Sequence, residues 1–161
     1  MLSEAQRTRL FNGLVEAIEE ISWNEPLESE REPEYTSRVL AGPLLEYVQT
    51  RNHSSLILGF DGGNRPLPVV FDGQKFYPDL AIYDFGSREI AVEAKFLKQS
   101  SYSGQLTTAI GQAMIYRSFG YFAAVIVLIS KEGRKVLAPA TLTKLNAELE
   151  PWRVAIIQLS N

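Results

Sequence analysis

The chain has 161 residues, of which 45% are hydrophobic and 22% charged; its net charge is −3, with no cysteine and one histidine. That composition suits a globular domain with a substantial core, and it excludes disulfides, thiolate metal sites and a multi-histidine zinc site within one chain. The charge is uneven: residues 1–50 hold 4 basic and 10 acidic side chains, residues 51–161 hold 12 basic and 9 acidic, and phosphate binding follows local potential rather than net charge.

The N-terminus, MLSEAQRTRLFNGL, has no basic region followed by an apolar core, and nowhere is there an apolar run of about 18 residues. The expectation is a cytoplasmic protein without a signal peptide or membrane span. Ser3 and Gln6 fit a capping box, and Leu10, Leu14, Ile18 and Ile21 recur at helical spacing, so residues 3–21 are predicted to form an amphipathic helix. Residues 22–34, SWNEPLESEREPE, carry two prolines and a dense acidic run and read as an irregular connection. A second helix is predicted over 36–50, with Leu40, Leu44, Leu45 and Val48 as its apolar stripe and Pro43 either kinking it or starting its main part. Glu46 lies between these apolar positions. Residues 55–60 form a short apolar strand, Asp61-Gly62-Gly63-Asn64 a turn, and 69–71 a further strand before the Asp72-Gly73 turn. His53 is read as structural or solvated.

The stretch from Lys75 to Lys95, KFYPDLAIYDFGSREIAVEAK, organises the rest. It reads as two strands joined at Asp84–Arg88. Side chains alternate between the faces of a strand. Leu80, Ile82, Ile90, Val92 and Ala94 therefore share a core face, while Asp79, Glu93 and Lys95 gather on the other. Two carboxylates on a rigid hairpin can hold a hard divalent cation, and a lysine beside them can orient or deprotonate a water: the equipment for metal-assisted phosphodiester hydrolysis.

A polar loop follows, then a helix from about 103 to 118, on which Gln105, Ala109, Gln112 and Tyr116 follow one face. Residues 121–130, YFAAVIVLIS, read as a strand buried on both faces and parallel to the preceding one. Lys131–Lys135 is a basic turn, 139–149 a helix and 153–159 a final edge strand. The class is α/β: a mixed central sheet flanked by helices, in a single domain over 1–161.

Pro78-Asp79 followed by Glu93-Ala94-Lys95 resembles the PD-(D/E)xK motif of a nuclease superfamily that includes restriction endonucleases, Holliday-junction resolvases and RecB-type exonucleases. Gln112-x-x-x-Tyr116 resembles the QxxxY motif of the RecB-type branch. The resemblance covers roughly residues 36–130 and leaves 1–35 outside the family core. It implies a restriction-endonuclease-like αβββαβ core and a Mg²⁺-dependent nuclease acting on DNA, with Mn²⁺ as a substitute. It implies further that Asp79, Glu93 and the Ala94 carbonyl ligate the metal, that Lys95 positions the attacking water, and that Gln112 and Tyr116 orient the substrate. Glu46 is the expected helix carboxylate that completes the shell, unless it is a solvated helix residue; Glu34 is the fallback. A homodimer fits the need to cut two strands. The competing expectation is a nuclease-fold module retained for nucleic-acid binding or for assembly of a larger complex. A small-molecule enzyme has no GxGxxG or P-loop behind it.

Overall fold

The computed structural model describes residues 1–51 and 55–161; His53 lies outside the described residues. Helix α1 spans Glu4–Glu19, and the Ser3 and Gln6 side chains each accept a bond from the other's backbone N–H, the predicted capping box. Leu10, Leu14 and Ile18 bury its apolar stripe.

The second helical stretch starts earlier than its sequence pattern indicates. Helix α2 covers Glu32–Tyr35, continues through a π-helical turn over Thr36–Leu40, and passes into α3, Ala41–Gln49. Pro33 sits in the first turn of α2, where its missing N–H costs nothing. The π-turn bonds the Ala41 N–H to the Thr36 carbonyl. This wider register comes just before Pro43, whose ring would crowd a regular turn. Residues 22–31 are irregular, as expected, and Glu30 fastens them: its carboxylate accepts from Arg38 Nε at 2.7 Å and from the Leu27 N–H at 3.0 Å.

Seven strands follow: β1 (Leu56–Phe60), β2 (Val69–Phe71), β3 (Gln74–Phe76), β4 (Leu80–Asp84), β5 (Ser87–Leu97), β6 (Ala123–Ser130) and β7 (Val154–Leu159). Helix α4 (Tyr102–Ser118) joins β5 to β6, and α5 (Pro139–Leu149) lies between β6 and β7. The main sheet has the order β1-β4-β5-β6-β7; β1, β4 and β5 pair antiparallel, whereas β5, β6 and β7 are parallel. The protein is thus α/β, with a mixed five-stranded sheet flanked by helices. Lys75 and Phe76 do not belong to this sheet; β2 and β3 form a separate two-stranded ribbon.

The β4–β5 hairpin closes with Phe85-Gly86, at φ values of 48° and 82°. Positive φ at both central residues is the type I′ turn, whose twist matches that of antiparallel strands. One face of the sheet packs Leu80, Ile82, Ile90, Val92 and Ala94 against α1 and α3. The other face, where the sequence puts the charges, is not open. Helix α4 covers it with Ala109, Ala113 and Tyr116, beside Ala81, Ala91 and Ile126. Both faces are buried because β5 and β6 lie in the middle of a helix–sheet–helix sandwich.

Candidate functional site

Strand β5 has eleven residues and its partner β4 only five, with Leu80 opposite Val92. Beyond Val92 no strand among the described residues pairs with the β4-side edge of β5. Two carboxylates take the place of one: Asp79 Oδ2 accepts the Ala94 N–H at 2.8 Å, and Glu32 Oε1 accepts the Phe96 N–H at 3.2 Å. Alternate residues of a strand send their N–H groups to the same side, which brings the two acids to one edge. The carbonyl of a strand residue leaves on the same side as its own N–H, so the Ala94 carbonyl also faces this edge.

Glu93 and Lys95 fall on the α4 face, as the alternation predicts, and Asp79 lies at the adjoining β5 edge, where its charge bears on Lys95. Glu93 is almost fully buried; its Oε1 lies 2.9 Å from Lys95 Nζ and its Oε2 accepts the Tyr116 hydroxyl at 2.9 Å. Burial, then the nearby Glu93 charge, push the Asp79 carboxyl up to about 7, against the opposing pull of the Ala94 N–H and Lys95. Burial also raises the Glu93 carboxyl, countered by Lys95 and Tyr116. Burial works against the Lys95 charge, but Glu93, Glu32 and Asp79 outweigh it and hold the ammonium above the usual lysine range. Lys95 is therefore a proton-bearing cation, suited to orienting water and meeting negative charge rather than to acting as a base. Burial and the Glu93 charge push the Tyr116 phenol far up, so it stays a hydrogen-bond donor.

The other expected residues divide. Tyr116 is in the site. Gln112 shares its helix face, and the amide oxygens of Gln112 and Gln105 are buried without a hydrogen-bond donor among the described residues. Gln105 lines a groove of about 400 Å³ that opens at Lys95, with Ser101, Gly104 and Thr108. Glu46 is elsewhere. It is exposed and borders a groove between α1 and α3 with Ala17, Glu20 and Ile21. Glu34 is turned to solvent and pairs with Arg31 at 2.6 Å. The acid that the sequence pattern misses is Glu32, whose charge bears on Asp79, Glu93 and Lys95 alike. Its signal was available: Glu-Pro is a helix start, and Glu32 opens that first turn. Among the basic residues, Arg117 is no free phosphate contact, since it donates to the carbonyls of Trp152 and Tyr121.

The donor set is all oxygen, which suits a hard cation such as Mg²⁺. Among the described residues no three acidic or histidine side chains form a ready-made cage; two coupled carboxylates and a backbone carbonyl are what the site offers at its centre. Such a site leaves coordination positions to water and substrate, the usual habit of Mg²⁺. The residues fit the ion.

A cavity of about 630 Å³ lies away from this chemistry, between α1, α5 and β7. No helix among the described residues is long and apolar enough to cross a membrane. Comparison with protein-family models, curated proteins and solved structures gave no match.

Proposed function

We propose that the protein is a Mg²⁺-dependent deoxyribonuclease on a PD-(D/E)xK nuclease fold. The observation that carries the reading is the grouping of two mutually repelling carboxylates, half-buried Asp79 and buried Glu93, with a charged lysine 2.9 Å from Glu93. Two neighbouring carboxylates share only one cationic side chain here, Lys95, and their repulsion is costly away from water; a divalent cation relieves that cost. The sheet supports the reading. With the β2–β3 ribbon set aside, the order α2–α3, β1, β4, β5, α4, β6 follows the αβββαβ pattern.

Asp79, Glu93 and the Ala94 carbonyl would hold the ion, with Glu32 beside them as a carboxylate outside the ligand set whose charge bears on the site. When bound, the ion supplies Lewis-acid polarisation of a phosphate oxygen and activation of a water. The chain does the rest. The Ala94 N–H and the Tyr116 hydroxyl fix the orientations of the two acids. The Lys95 ammonium steers the incoming water and meets the negative charge that grows on the phosphate oxygens. Water attacks phosphorus and gives up a proton to solvent, the bond from phosphorus to the leaving sugar oxygen breaks, and that oxygen takes a proton from solvent. Gln112 and Gln105, whose amide oxygens have no partner among the described residues, orient the strand from the same helix face.

The test is nicking of supercoiled plasmid, whose underwound regions offer unpaired strands beside duplex. The wild type should cut with Mg²⁺ and not with EDTA. Lys95→Ala, checked to be folded at the assay temperature, should cut at least 100-fold more slowly, an effect of the size of a lost preorganised charge. Lys95→Arg should not restore the rate, because a planar guanidinium does not replace a compact ammonium. A wild type that binds DNA without cutting it would return the fold to a binding module.

A further inference from the structure

Beside Asp79 runs a small groove of about 220 Å³, walled by Pro33, Asp61, Arg65, Tyr77 and Pro78. Proline walls hold it rigid. Tyr77 stands two residues before Asp79 and keeps 40% of its surface exposed. The Arg65 guanidinium sits over its ring, 4.8 Å from the centroid. The ring lines the groove that also holds Asp79 and is not sealed against the core.

Resting on the nuclease reading, we propose that Tyr77 and Arg65 form a stacking subsite for one unpaired nucleotide next to the scissile phosphate, so that the preferred substrate is single-stranded DNA or a frayed end. An aromatic ring offers a π-face that any base can stack on, and an arginine adds a phosphate partner. Bases inside a duplex already stack on each other and have no face to give. The groove has room for a base and its sugar, not for a paired helix. Charge sets the direction: Asp61 and Asp79 repel phosphate, so the phosphate lies toward Arg65 while the base rests on Tyr77.

The experiment is anisotropy of a labelled oligothymidylate, and of a blunt duplex of equal length, at low salt in EDTA. The wild type should bind the single strand. Tyr77→Ala should weaken that binding about tenfold, within the range measured for loss of a stacked base, and leave duplex binding unchanged. Tyr77→Phe, which keeps the ring, should bind within twofold of wild type and serves as the folding control. Arg65→Gln should lower the slope of log K against log salt by about 0.7, the value of one phosphate contact on a single strand. No single-strand binding by the wild type, equal binding by Tyr77→Ala, or equal losses on both substrates overturns the subsite. Because no cleavage is needed, the two readings can fail separately. A Tyr77 effect without Mg²⁺-dependent cutting sinks the nuclease and keeps the subsite; cutting without a Tyr77 effect does the reverse.

Discussion

Glu32 and Glu46 stand on one continuous helical stretch, yet only Glu32 reaches the β5 edge. The difference lies in helical phase. A π-turn adds one residue to a turn, which rotates everything after it by about 100° relative to a regular helix. The turn at Thr36–Leu40 thus redirects the second half of the stretch. Leu44 and Val48 face the core, Leu45 is 37% exposed despite its place in the predicted stripe, and Glu46 looks toward α1. Periodicity in the sequence cannot report such an insertion, because it assumes a constant 3.6-residue turn. The period of a strand has no such freedom, and Asp79, Glu93 and Lys95 were legible for that reason. Glu32→Gln should slow Mg²⁺-dependent cleavage by about 10–100-fold, the usual effect of losing a group that orients a metal site. Glu46→Gln should stay within twofold of wild type. Initial rates of plasmid nicking decide; equal rates for Glu32→Gln and wild type would remove Glu32 from the site.

At the scale of elements, the N-terminal helix falls outside the family resemblance but is tied to the site hairpin. The β4–β5 pairing shifts between Ile82 and Tyr83, so Ile82 faces Ile90 and Tyr83 faces Arg88, with Glu89 left over. This bulge leaves Glu89 fully buried, and Arg7 of α1 meets it at 2.9 Å. Burial raises the Glu89 carboxyl, and Arg7 pulls it back. No pattern in one dimension pairs residues so far apart, because the bulge is a property of the β4–β5 register. By contrast the elements themselves were largely legible. The capping box, the apolar β6, the α4 face and the edge position of β7 each have a local signature. What was not legible was the cover over the charged face: α4 has alanines at Ala109 and Ala113, small enough to lie close on the sheet and too small to form a strong apolar stripe. Arg7→Ala should cost about 3 kcal/mol by stranding a buried carboxylate, while Arg7→Met with Glu89→Leu should recover most of it. Urea titration of the single and double variants measures both.

For the whole molecule, the acids at the centre couple stability to pH and, on the proposed reading, to metal. The Asp79 carboxyl is at about 7 in the folded protein against 3.8 as its unperturbed value. Between those values the unfolded chain has lost the proton that the folded chain keeps, so metal-free stability falls as pH rises from about 4 to about 7 and then levels off. A cation that binds only the folded, ionised site reverses this by mass action. The most direct measurement is a set of melting curves at pH 8, with and without Mg²⁺, for wild type and Asp79→Asn. Wild type should gain several degrees with Mg²⁺. Asp79→Asn should melt above metal-free wild type, because it removes a buried charge beside Glu93, and should gain almost nothing from the ion. A wild-type curve that Mg²⁺ leaves in place, or an Asp79→Asn protein that keeps the full metal-induced rise, would contradict a cation held by Asp79 and Glu93.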